Sequence, residues 1–130
     1  MTDVQAHLEK LAHDATDPTA LAAVEDAYRG EGRWEELLRV YEENALRAAS
    51  THAAPMLRKA ALVCLTELAS ATRAEAYLQR ALQANPADLD ALKALRELFL
   101  SRGDYERGLE VYERELARTT DAKEKAAGLI

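Results

Sequence analysis

Apolar side chains recur along the chain at the three- and four-residue intervals of amphipathic helices. Leu21, Val24 and Tyr28 follow Asp17-Pro18, a dipeptide typical of a helix start because Asp accepts hydrogen bonds from free N–H groups and Pro suits the first helical position. The later stripes predicted to face a core are Trp34, Leu37, Leu38, Tyr41 and Leu46; Leu57, Ala61, Leu65 and Leu68; Leu92, Leu95, Leu98 and Phe99; and Tyr105, Leu109, Tyr112 and Leu116. The pattern predicts an all-α chain.

The helical patterns repeat. Residues 28–34 and 99–105 share an aromatic side chain, a Gly four residues later and a second aromatic two residues after that, at an offset of 71 residues. Other pairs at the same offset are Ala20 and Ala91, Leu21 and Leu92, Leu38 and Leu109, Val40 and Val111, and Tyr41 and Tyr112. An offset of 71 is about two units of 34 to 36 residues, which predicts a weaker copy between them.

The middle copy is less regular than its neighbours. Residues 74–82 give its second helix, but the turn before them, residues 68–72, contains no Gly. We expect Pro55 to open its first helix and residues 52–55 to be extra material. The predicted organisation is a flanking helix at 1–16, repeats at 17–50, 51–86 and 87–120, and a further or capping helix at 121–130 with Asp121 as its N-cap.

Charge and composition narrow the classes of partner. The 130 residues carry a net charge of −6, and residues 1–50 contain 11 acidic and 5 basic side chains. Such a surface repels nucleic acid phosphates and anionic lipid, so we expect no nucleic acid and no membrane as partners. The single Cys64 excludes an internal disulfide, and no signal peptide or membrane span is visible. We expect a cytoplasmic protein.

No group of residues forms a convincing site for chemistry. His7 and His13 are six residues apart and so lie on different sides of one helix. Cys64 lies between Val63 and Leu65, as a core side chain would. The Glu residues at 35, 36, 42 and 43 alternate with Arg residues, which is typical of a solvated helix face. We expect no catalytic residues, no metal site and no cofactor, and we predict that the protein is not an enzyme.

Several of these residues resemble the tetratricopeptide repeat family, a helix–turn–helix motif of about 34 residues. Its Gly and aromatic residue at the turn are matched by Gly32-Arg33-Trp34 and Gly103-Asp104-Tyr105. The other matches are Tyr28 and Phe99 late in the first helix, Tyr41 and Tyr112 in the second, the pairs Ala45-Leu46 and Ala81-Leu82, and the closing Pro86. The family often has Gly midway along the first helix, where this chain has Glu25, Leu62 and Arg96. That departure leaves open a related helical-repeat family with different packing angles.

The resemblance implies a superhelical stack of antiparallel helix pairs, an α-solenoid of about three repeats with flanking helices. First helices line the concave groove of such proteins, so the resemblance implies a scaffold or adaptor that binds a protein or peptide there. The corresponding outward positions are Thr19, Ala22, Asp26, Arg29, Met56, Lys59, Val63, Thr66, Asp90, Lys93, Glu97 and Leu100. Some family members use Lys and Asn in the first repeats to hold a peptide's terminal carboxylate. Asp26 stands at one such position, so a ligand of basic or mixed charge is expected instead.

The alternative function is self-association. Leu116, Leu129 and Ile130 give the C-terminal end apolar character, so two chains could pair there as a homodimer. In a longer repeat protein, a further repeat would cover the same residues.

Overall fold

The computed structural model describes the backbone of residues 4–47 and 50–126 and the side chains of residues 4–47 and 52–120. The helices are α1 (Val4–His13), α2 (Pro18–Glu31), α3 (Trp34–Arg47), α4 (Ser50–Thr66), α5 (Ala71–Ala84), α6 (Leu89–Ser101) and α7 (Tyr105–Ala126). Successive helices from α1 to α7 pack against one another. No strand occurs in this part of the chain, and the prediction of an all-α stack of antiparallel helix pairs is confirmed.

Local sequence sets the helix ends. The Asp17 side chain accepts hydrogen bonds from the backbone N–H groups of Thr19 and Ala20, both at 3.1 Å, and Pro18 opens α2 as predicted. Gly32 and Gly103 have φ angles of +68° and +75°, a left-handed conformation that Gly adopts without a steric penalty. Each of these residues lies two positions before the next helix, which makes the tight turn within a helix pair.

The turn between α4 and α5 has the same geometry without a Gly. Ala69 also lies two positions before its helix and has a φ angle of +48°. A side chain with a Cβ atom is strained in this region. The middle turn therefore keeps the conformation of its two counterparts at a local cost.

The central helix α4 differs from the expectation in two ways. Pro55 does not open α4 but lies inside it, and residues 52–55 are part of the helix rather than extra material. Ala53 and Ala54 are buried, so their packing favours helix ahead of Pro55, whose missing N–H leaves one helical carbonyl without its usual donor. The helix packs against both α3 and α5 and therefore buries more than one stripe.

The buried positions of α3 and α5 correspond at an offset of 37 residues. Leu37, Val40, Tyr41 and Asn44 correspond in this way to Ala74, Tyr77, Leu78 and Ala81. Aligning Ala45-Leu46 with Ala81-Leu82 was therefore wrong by one residue. Leu46 is 79% exposed and does not belong to the core stripe, because the position that Leu82 fills is held by Ala45 in α3.

The last helix also departs from the sequence pattern. α7 runs without interruption through Asp121 to Ala126, so the prediction that Asp121 caps a new helix is wrong. Thr119, Thr120 and Asp121 are modest helix formers, but none is a Pro or Gly that would break a helix. The stripe Tyr105, Leu109, Tyr112 and Leu116, predicted to face a core, is exposed in the described part of the chain.

Candidate protein-binding surfaces

The outward sides of α2, α4 and α6 form the first candidate surface, which we call the first-helix surface. The predicted residues that are exposed here are Thr19, Ala22, Asp26, Arg29, Thr66, Asp90, Lys93, Glu97 and Leu100, with Lys59 partly exposed. Val63 and Met56 were predicted to contribute, but they are only 2% and 3% exposed. Their assignment is wrong because α4 lies between two helices and directs that side inward.

Ion pairs connect the three first helices across this surface. Lys59 Nζ donates to Glu25 Oε2 at 3.3 Å, which joins α4 to α2, and the buried Tyr41 hydroxyl donates to the same carboxylate. Arg58 Nε donates to Asp88 Oδ2 at 2.9 Å, which joins α4 to the start of α6. Burial, and then the neighbouring Glu25, raise the pKa of the Tyr41 phenol above its ordinary range. The bases of α4 are thus occupied within the molecule.

A small apolar pocket opens on the first-helix surface between α4 and α6. Its volume is about 190 Å³, and its lining residues are Arg58, Ala61, Leu62, Leu65, Leu78, Asp90 and Ala94. Leu62 and Leu65 are 55% and 38% exposed. Lys93 and Glu97 lie nearby on α6 and form no ion pair among the described side chains, so they offer one charge of each sign to a ligand.

The second candidate surface lies at the C-terminal end of the described stack and adjoins the first-helix surface at Leu100. We call it the α6–α7 face and define it by Leu100, Tyr105, Leu109, Tyr112 and Leu116, which are 40%, 69%, 57%, 42% and 48% exposed. It contains a pocket of about 330 Å³ lined by Arg96, Leu100, Tyr105, Gly108, Leu109 and Tyr112. Gly108 lets α6 and α7 come close, since a Cβ atom there would lie 2.8 Å from Leu100 Cδ2.

Charged side chains border the α6–α7 face on two sides. Arg96 Nε lies 2.7 Å from Glu115 Oε2, and the Arg96 guanidinium stacks over the Tyr112 ring at 5.5 Å. On the opposite edge, Glu106 and Glu113 are exposed, and neither forms an ion pair with any side chain that the structure describes. A paired base on one edge and, among the described side chains, two unpaired acids on the other therefore border an apolar centre.

Of the residues proposed for self-association, only Leu116 can be placed. It belongs to the α6–α7 face, whereas Leu129 and Ile130 lie outside the described residues. The sequence stripe suggested that Tyr105, Leu109 and Tyr112 were core residues, and so the α6–α7 face was missed. The available signal was that the corresponding stripe of α3 is followed along the chain by further helices that can cover it.

The single cysteine lies where a core side chain would. Cys64 is buried as predicted, and burial raises the pKa of its thiol, which disfavours the reactive thiolate. The described residues contain no cluster of three or more metal-ligating side chains. None of the helices in this part of the chain has the length and apolar character needed to cross a membrane.

Stacked antiparallel helix pairs, each in contact with its neighbours, are the architecture of the α-solenoid class of repeat protein. The family model for the tetratricopeptide repeat matches residues 20–54 and 91–126. These matches cover more than half of the chain and begin 71 residues apart, at the offset found in the sequence. The chain belongs to the tetratricopeptide repeat family.

The crystal structure of MamA is similar to this chain. The similarity covers 97% of this chain and 77% of that chain, with a TM-score of 0.63 and 17% sequence identity, and at this identity it shows the fold alone. A comparison with curated proteins found no match. Family and fold together indicate a protein-interaction module.

Proposed function

We propose that this protein is a non-catalytic cytoplasmic scaffold or adaptor, built from three repeats at residues 17–50, 51–86 and 87–120, that binds a peptide or protein segment along the first-helix surface. The observation that carries the proposal is the pocket between α4 and α6, where Leu62 and Leu65 remain exposed. Apolar pockets bordered by a few polar groups are typical peptide sites.

The charges beside this pocket indicate the kind of ligand. Lys59 and Arg58 already contact Glu25 and Asp88, so they are less available to an acidic peptide. Asp26, Lys93 and Glu97 are exposed and give the free surface a mixed charge with an acidic excess. The ligand we propose has an apolar side chain for the pocket and at least one neighbouring basic side chain for Glu97.

Selection from a library of random twelve-residue peptides on the immobilised full chain tests this proposal. The enriched peptides should combine an apolar residue with a nearby base, and their affinities are then measured by fluorescence anisotropy. Leu62→Asp should weaken binding about tenfold, because it places a charge in the apolar pocket. Leu46→Asp is the matched control, since Leu46 is 79% exposed on α3, away from this surface.

Two results would overturn the proposal. One is enrichment of peptides that bind the Leu62→Asp and Leu46→Asp variants equally well. The other is a failure to enrich any peptide although the α-helical content of the chain is intact by circular dichroism.

A further inference from the structure

The α6–α7 face has a covered counterpart inside the same molecule. At the offset of 71 residues, Leu109 and Tyr112 correspond to Leu38 and Tyr41 of α3. Leu38 and Tyr41 are 2% and 0% exposed, and α4 packs against α3. The same residue types therefore lie buried where a following helix is present and open where the described chain provides none.

Basic side chains of the α4–α5 pair form ion pairs with acidic side chains of the α2–α3 pair that it covers. Lys59 of α4 binds Glu25 of α2 at 3.3 Å. Arg73 of α5 makes two hydrogen bonds of 2.8 Å to Glu35, and Arg80 donates to Glu42 at 3.0 Å. The covering pair thus supplies one base on its first helix and two bases, seven residues apart, on its second.

The corresponding positions on the α6–α7 face require a different pattern of charges from the segment that covers it. Glu35 and Glu42 correspond to Glu106 and Glu113 at the 71-residue offset, so these acids again require bases. Glu25, however, corresponds to Arg96, which Glu115 of the same helix pair already neutralises at 2.7 Å. A base at the position of Lys59 would find no free acid there among the described side chains, so the approaching first helix should carry none.

We infer that the α6–α7 face docks a two-helix segment of a different protein. The first helix of that segment carries no basic side chain opposite the Arg96–Glu115 pair, and its second helix carries two basic side chains seven residues apart opposite Glu106 and Glu113. The five apolar residues of the face expose about 500 Å² of side chain, enough for the apolar part of a standard interface of about 800 Å² per partner.

A second copy of this chain does not meet these requirements. Stacked head to tail, its α2–α3 pair would bring Ala23 to Arg96, at the position of Lys59, because the buried positions of α2 and α4 correspond at an offset of 36 residues. It would, however, also bring Glu36 and Glu43 to Glu106 and Glu113, since these residues correspond to Arg73 and Arg80 at the 37-residue offset. Four acids would then meet, which disfavours association. An antiparallel pair of α7 helices would likewise bring one acidic edge beside the other.

The probe is a synthetic helical hairpin with the sequence of residues 52–84, which already contains Arg73 and Arg80. It is made with either Lys59 or Lys59→Glu and titrated into the full chain by fluorescence anisotropy. The Lys59→Glu hairpin should bind at least about fivefold more tightly, because Lys59 would approach Arg96, whose only acid among the described side chains is already paired with it. Adding Arg73→Glu and Arg80→Glu to this hairpin should weaken its binding to the full chain about tenfold.

Variants of the full chain locate the binding and reverse the preference. Arg96→Glu with Glu115→Asn recreates on α6 and α7 the pair formed by Glu25 and Asn44, and should make the Lys59 hairpin the tighter ligand. Tyr112→Asp should abolish binding of both hairpins, whereas Leu46→Asp should leave it unchanged. Circular dichroism checks that each variant and both hairpins are helical under the conditions of the titration, and a hairpin that is not is stapled through a disulfide between its two helices before it is used.

The inference fails if the two hairpins bind equally, if neither binds, or if Tyr112→Asp leaves binding unchanged. It also fails if sedimentation shows that the chain itself forms a dimer which Tyr112→Asp dissociates, because the occupant would then be a second copy. None of these results depends on the first-helix surface, so the proposed function and this inference stand or fall separately.

Discussion

The α2–α3 and α6–α7 pairs have similar sequences but different surroundings. Leu38 and Leu109 occupy equivalent positions, yet Leu38 is 2% exposed and Leu109 is 57% exposed. The local features that shape each pair, such as the left-handed Gly between its helices, are the same. The comparison teaches that the motif determines the helix pair, whereas the neighbouring pair determines whether an apolar residue serves the core or an interface.

The largest expected difference concerns this pair of leucines. Leu38→Ala should lower the free energy of unfolding by about 3 kcal/mol, because it leaves a cavity in a close-packed core. Leu109→Ala should lower it by less than about 1 kcal/mol, since that side chain is largely solvated. Urea denaturation followed by circular dichroism measures both. Equal losses would show that a covering segment already buries the α6–α7 face.

The free energy of unfolding at high pH should depend on the buried tyrosines Tyr77 and Tyr41. Burial, and then the charge of Glu42, raise the pKa of Tyr77 to about 12, and the pKa of Tyr41 is also raised. The unfolded phenol loses its proton near pH 10, so the stabilisation is complete below about pH 10 and is lost as the pH rises toward the folded value. The slope approaches about 1.4 kcal/mol per pH unit for each such group.

Urea denaturation between pH 8 and 12 tests this dependence. Tyr77→Phe should flatten the decline between pH 10 and 12, because Phe has no phenol to titrate. An unchanged slope in this variant would mean that Tyr77 does not titrate at a raised pKa in the folded protein.

Substitutions at the left-handed turn residues should affect the free energy of unfolding similarly in the α2–α3 and α6–α7 pairs. Gly32→Ala and Gly103→Ala should each lower the free energy of unfolding by about 1 kcal/mol, because both positions have positive φ angles. Ala69→Gly should raise it by up to about 1 kcal/mol by relieving the strain at φ +48°. Thermal melts of the three variants measure the changes, and a destabilising Ala69→Gly would contradict the assignment of this residue as the counterpart of the two glycines.

The smallest expected effect concerns the acidic edges of α3 and α7. Glu35→Gln with Glu42→Gln should lower the free energy of unfolding by about 0.5 to 1 kcal/mol, because Arg73 and Arg80 lose partners in exposed ion pairs. Glu106→Gln with Glu113→Gln should change it by less than about 0.3 kcal/mol. The effect of the first pair should fall in 1 M salt, and an equal effect of the second pair would reveal an undetected partner for those acids.

The sequence was sufficient for the all-α class, the turns at Gly32 and Gly103 and the family, but not for the start of α4 or the end of α7. Asp17-Pro18, Gly32, Gly103 and the 71-residue offset all act through backbone geometry within a few residues or through direct similarity. It was less reliable for the register between the first and second repeats, where Leu46 of the first repeat was assigned to the core although it is exposed. A one-residue shift changes which side of a helix faces inward, and spacing alone does not reveal such a shift.

Burial was decided by the tertiary structure. The apolar row of α7 and the row of α3 have the same spacing, and Val63 has the spacing of an outward position although it is buried. An apolar pattern records that a helix face avoids water, but not which neighbour covers it. Only the packing of α4 between α3 and α5 places Val63 inside, and only the position of α7 at the end of the described stack leaves its apolar face open.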